Sequence, residues 1–156
     1  MTTLVFVPVD RETADALRTG TDPGPRPGCA PTAELAASTG PDAVAEEVEF
    51  AALSHAGVLA LTSTTDPLRL VLAADVEAVQ VEESGDGLGQ VVVAGLRWPQ
   101  VQSLFADEPD AAAAVAAARA AAEGRTLTEA LELDEVAQLL DAYDLLWFAP
   151  EELEHS

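Results

Sequence analysis

Apolar and polar positions change their spacing several times along this chain, and each change marks an element. Leu4 to Val9 is a short, nearly continuous apolar run, which predicts a buried strand opening the fold. Asp10 to Leu17 takes up helical spacing, with Asp10 where an N-cap belongs. Thr19 to Pro31 is dense in Gly and Pro and reads as loop, with room for a brief strand around Cys29. From Pro41 to Leu61 the spacing predicts the main amphipathic helix. Val44, Val48, Ala51, His55 and Val58 recur on one face, and Glu46, Glu47 and Glu49 lie mostly off it. Pro41 suits the first turn, and the acids that follow it suit the positive end of the helix dipole.

The second half is richer in strands. After a connector from Thr62 to Pro67, Leu68 to Ala73 is the clearest strand, broken only by Arg69. Val76 to Glu82 alternates and faces Gln90 to Leu96 across a glycine-containing loop, the pattern of a hairpin. Val101 to Ala106 fits either a strand or a short helix. Asp107, Pro109 and Asp110 have the order of a capped helix start, and the alanine-rich run behind them stops at Gly124. Thr126 and Glu129 form a second capping-box pattern, with Asp134 and Glu135 as the alternative start. Val136, Leu139, Leu140 and Tyr143 make an apolar stripe. Leu145 to Ala149 predicts a last strand ended by Pro150, and Glu151 to Ser156 a frayed acidic tail. The irregular alternation with a central hairpin predicts a single α+β domain over residues 1–150. Its sheet is mixed or antiparallel, with helices mainly on one face.

Composition sharpens this picture. A 156-residue chain buries about 70% of its unfolded surface and needs no disulfide or metal to fold. Aromatic residues make up only 4%, so Val, Leu and Ala must fill most of the core. Twenty-eight acidic residues stand against seven basic ones, a formal charge of −21. A surface this negative repels phosphate backbones and anionic lipid headgroups, so nucleic-acid and membrane partners are not expected. A basic protein partner is compatible with it. The basic residues are all arginine, and Lys, Ile and Asn, which use AT-rich codons, are absent, which points to a high-GC bacterial genome. Codon usage does not explain the acidity, since arginine can replace lysine one for one, so a halophile-like surface is a second reading.

The lone Cys29 cannot form an internal disulfide, which is compatible with a reducing compartment. The first residues lack the basic region and apolar core of a signal peptide, and no apolar run approaches the about 20 residues that span a bilayer. A cytoplasmic location is expected.

Candidate chemistry is sparse. The loop from Gly85 to Gly89 joins two strands, whereas a phosphate cradle opens a helix, so it reads as a turn. Two histidines and one cysteine at unrelated spacings give no zinc signature, the acidic pairs lack the order of a calcium loop, and no cofactor is expected. His55 on the helix stripe suits a core-edge hydrogen bond better than a general base. Cys29 lacks a sequence context that would activate it.

Arg69 and Arg97 both interrupt apolar runs. Each either pairs with a carboxylate or anchors an anionic ligand through its planar fork, with Asp10 and Asp75 as possible pocket neighbours. Of the two tryptophans, Trp147 reads as core. Trp98, between Arg97 and Pro99, reads as core or edge packing or, where partly exposed, as a candidate interface anchor along with Glu46 and Glu47. Nothing assembles into a catalytic motif.

Several stretches carry a resemblance: Val7-Pro8 in the opening strand, the helix segment Glu46 to Leu53, the strand from Arg69 to Val76, and the closing Leu145-Leu146-Trp147-Phe148. Together they resemble a family of short, acidic, uncharacterised proteins from high-GC Gram-positive bacteria, a domain of unknown function. The resemblance implies a strand at Val101 to Asp107 and carries no activity or cofactor over to this chain. The leading expectation is a non-catalytic interaction or regulatory module. The alternative is a small ligand-binding domain or enzyme acting on a small anion through Arg69 and Arg97.

Overall fold

The opening apolar run becomes the middle of a sheet. In the computed structural model, which describes residues 2–40, 42–84 and 87–155, seven strands form one antiparallel sheet. They are β1 (Thr2–Pro8), β2 (Arg26–Cys29), β3 (Leu70–Glu77), β4 (Val81–Glu83), β5 (Gln90–Val93), β6 (Val101–Ala106) and β7 (Leu146–Phe148), in the order β4-β5-β2-β1-β3-β6-β7. The α-helices among the described residues are α1 (Arg11–Arg18), α2 (Ala33–Thr39), α3 (Ala45–Ser63), α4 (Ala112–Ala122), α5 (Leu127–Ala130) and α6 (Asp134–Ala142). The α+β class is as expected, and the sheet takes the antiparallel form. No helix among the described residues is long and apolar enough to cross a membrane.

Strand alternation divides the interior in two. On one face Phe6, Val71 and Ala73 pack against Val48 and Ala52 of α3 and the inner sides of α4 and α6. On the other, Val5, Val7, Leu72 and Val76 meet Ala14 and Leu17 of α1. Helices thus lie mainly on one face, with α1 alone opposite. The alanine-rich α4 turns Val115, Ala118 and Ala122 inward, and these small side chains let it lie close to α3 and α6.

Several local expectations shift. The main helix begins at Ala45, so Val44 is its exposed N-cap; of the expected stripe Val48 and Val58 are buried and Ala51 and His55 half-buried, and from Ala56 to Leu61 the helix is buried all round. Pro41, expected in its first turn, and Gly85 and Asp86 of the hairpin loop lie outside the described residues. The hairpin is present as β4 and β5, with Val81 opposite Val93, but the expected first strand from Val76 to Glu82 is divided: Val76 and Glu77 end β3, and a 3-10 turn over Ala78–Gln80 precedes β4. α2 is an additional helix capped by Thr32, whose hydroxyl accepts from Leu35 N at 3.1 Å. Both readings near Thr126 are realised. The capping box closes α5, with Glu129 N to Thr126 Oγ1 at 3.2 Å and Thr126 N to Glu129 Oε1 at 3.0 Å, and α6 starts at Asp134. The expected frayed tail is instead a 3-10 turn over Pro150–His155, because Leu153 buries itself against the α1 side of the sheet.

Candidate functional site

Two sequence features meet at the start of β3. Arg69 immediately precedes β3, and Asp107 immediately follows β6, so the antiparallel pairing of Leu70 with Ala106 brings them side by side. The Arg69 guanidinium donates from Nε to Asp107 Oδ2 at 2.9 Å and from Nη2 to Oδ1 at 2.8 Å. The Arg69 backbone N–H adds a third bond to Oδ2 at 2.9 Å. The side chains are 1% and 0% exposed, so this is a buried, bidentate, charge-assisted pair. Asp107, expected to cap the next helix, is occupied here instead. The 3-10 turn Pro109–Ala111 leads into α4 without that cap.

Asp10 organises the neighbouring connector. Its Oδ1 accepts from Thr65 N and Asp66 N, both at 2.8 Å, so it braces the link between α3 and β3 and makes no side-chain cap on α1. Burial pushes the Asp10 carboxyl up. The bonds from Thr65 and Asp66 and the Arg119 charge outweigh that and hold it below its ordinary value of 3.8. Arg119 of α4 donates to the carbonyls of Thr64 and Asp66, and Arg11 N donates to Asp66 Oδ2 at 2.6 Å. These charges are engaged in holding the connector.

Arg97 lies elsewhere. It is exposed just after β5 and lines a cleft with Trp98, whereas Arg69 lines a separate cleft with Asp107 and Phe148. Asp75 is exposed on β3, and neither it nor Asp10 lines either cleft. The candidate residues therefore divide among four places, and a shared site built on Arg69 and Arg97 does not form. His55 holds the hairpin loop, its Nδ1 at 2.9 Å from the Leu88 carbonyl, the core-edge role expected of it. Cys29 is buried in the helix-side core. Among the described residues no cluster of three or more His, Cys, Asp or Glu is arranged to hold a metal.

One tryptophan keeps its expected role and the other does not. Trp98 is half-buried and packs on the α1-side core, while Trp147 on the edge strand β7 is 62% exposed. Trp147 stands opposite Phe105 of β6, so the two side chains share the helix-side face of the sheet. Phe105 contacts the buried Phe6 edge-on, with ring centroids 6.3 Å apart. It also lines a groove of about 320 Å³ with Leu53 and Phe50 of α3, and Phe50 is 63% exposed. Glu46 and Glu49 line the same groove. Glu47 is exposed on the same helix but is not part of the groove. Sequence reasoning missed this aromatic face with its acidic rim. Phe50 fell between predicted stripe positions, and Trp147 sat in an apolar run that gives no sign of being an edge.

No curated protein and no solved structure matches the chain. The family of unknown function DUF6912 matches residues 3–155, nearly the full length, and this chain belongs to that family.

Proposed function

We propose that this protein is a cytoplasmic, non-catalytic bacterial interaction module that captures a cationic, apolar-faced segment of a partner protein on the Phe50–Phe105–Trp147 face. The observation that carries this reading is the pair of exposed aromatic side chains, Phe50 and Trp147, flanking Phe105. Exposed large aromatic groups on one sheet face are characteristic binding anchors, since they gain most from being desolvated. Glu46 and Glu49 set the sign of the occupant: residues packing on the aromatics must be bordered by Arg or Lys. A second copy of the chain is the poorer occupant, because two molecules of charge −21 repel.

The test is affinity capture with the wild-type chain and with a Phe50→Ser/Trp147→Ser variant as bait, at low and at high salt. The reading expects proteins with a basic amphipathic segment to be retained by the wild type, released by salt and missing from the variant. Identical capture by both baits overturns it, as does a wild-type dimer that the variant abolishes.

A further inference from the structure

The two edges of the sheet are built differently. β4, at one end, carries the exposed Glu82 and Glu83 among its three residues, charges that oppose pairing with a further strand. β7, at the other end, consists of Leu146, Trp147 and Phe148 and carries no charge, and no strand among the described residues lies beyond it. The backbone bonds determine which groups this edge offers. Val9 N donates to the Leu70 carbonyl at 3.0 Å, so Leu70 turns its backbone toward β1. Asp107 N donates to the Arg69 carbonyl at 3.2 Å, so Arg69 turns the other way, toward β6. Backbone groups point to alternate sides along a strand, and the β3–β6 register is regular from Leu70 opposite Ala106 to Ala73 opposite Ser103. Phe105 therefore bonds β3, while Leu104 and Ala106 bond their partners Phe148 and Leu146. Trp147, between these two, directs both its N–H and its C=O out of the sheet. We infer that β7 accepts an extended segment of the partner protein as a further strand, hydrogen-bonded through the backbone of Trp147.

This inference rests on the docking face proposed above and gives its occupant a conformation and a sequence pattern. The residue paired with Trp147 shares the helix-side face with the Trp147 ring, which is 62% exposed. Its two neighbours fall on the other face, beside Phe148 and the exposed Leu146. Main-chain bonds then hold the segment, and alternate apolar side chains set its register. The ladder is short, because the Ala149 N–H just beyond β7 is taken by Glu152 Oε2 at 2.6 Å. Exposed acids flank β7 at both ends, Asp144 before it and Glu151 and Glu152 after it. The segment is therefore basic at its ends. A second copy of β7 fits poorly, since antiparallel pairing through Trp147 brings Asp144 of each copy toward the acidic turn of the other.

The test uses synthetic peptides of about nine residues, with arginine at each end and alternating threonine and valine around a central phenylalanine. A second peptide of the same composition places its apolar residues three and four apart, the helical spacing. Both are titrated into the ¹⁵N-labelled full chain. The alternating peptide is expected to give saturable shifts and to slow hydrogen exchange of the Trp147 backbone N–H about tenfold or more. The N–H groups of Leu146 and Phe148, already bonded to β6, should change little. Methylating the peptide nitrogens along the edge that includes the central residue should weaken binding about tenfold or more, and methylating the opposite edge should leave it unchanged. Strand addition is overturned, with the docking face left standing, by binding that Phe50→Ser/Trp147→Ser abolishes but that leaves the Trp147 N–H unprotected or responds alike to methylation of either edge. Tighter binding of the helically spaced peptide has the same meaning. If neither peptide gives a saturable shift, the docking face and the added strand both fall.

Discussion

Gly57 of α3 stands directly over the guanidinium of Arg69: a Cβ built on Gly57 falls 3.0 Å from Arg69 Nη1 and 3.2 Å from Leu145 Cδ1. Glycine in mid-helix normally weakens a helix, so replacing it with alanine should help by about 1 kcal/mol. Here the guanidinium beneath is fixed by Asp107 and cannot retreat. Overpacking of this kind costs about 1–3 kcal/mol. Gly57→Ala is therefore expected to lower stability by about 1 kcal/mol net in urea denaturation, and a stabilised variant would show that Arg69 gives way.

The buried pair itself predicts a strong asymmetry. Arg69→Met strands the Asp107 carboxylate in the interior and should cost about 3–5 kcal/mol. The double variant Arg69→Met/Asp107→Leu removes both charges and should recover most of that loss. Chemical denaturation of the three proteins decides it, and additive losses would mean that the two residues are not energetically coupled.

Asp10 should make the fold acid-sensitive. Its folded pKa lies below the ordinary 3.8, so its contribution is present above that value and fades as pH falls through the folded pKa. Asp10→Asn should be less stable than the wild type at neutral pH, with the gap closing below about pH 3.8. Denaturation midpoints measured from pH 6 down to about pH 2.5 test this, and a constant gap would assign Asp10 no proton-linked role.

Net charge predicts a salt response. With −21 on one chain, self-repulsion in the folded state is relieved by screening, so the melting temperature should rise from low ionic strength to about 0.15 M. A flat response would mean that the acids are dispersed widely enough not to oppose folding.

The sequence exposed what is local and hid what is distant. The capping box of Thr126 and Glu129 was legible because both partners lie within one turn. The strands β1 and β3 were legible from short apolar runs and β5 from its alternation, whereas the residues of β6 suited a helix as well and the alternation from Val76 to Glu82 concealed the 3-10 turn that separates β3 from β4. Asp10 and Asp107 looked like helix caps for the same local reason, yet their carboxylates bond residues 55 and 38 positions away, which no short window contains. α2 escaped because its Ala, Ser and Thr positions give almost no apolar period. Trp147 was misplaced because burial of an apolar strand depends on its rank in the sheet, and β7 is an edge. Arg69 was read as either ion-paired or ligand-binding. The pairing partner became evident only with the β3–β6 register.

The placement of β1 has a consequence for how the chain is made. The central strand, β1, is made before both of the strands that flank it, and its long pairing runs from Thr2 opposite Glu77 to Pro8 opposite Val71. Translation at about 5–20 residues per second leaves β1 without that partner for several seconds, an apolar strand with two open edges. Its other neighbour, β2, meets it at a single register point, Phe6 opposite Cys29, and offers little cover meanwhile. The middle of the sheet therefore closes only once β3 has been made, around a strand synthesised well before it.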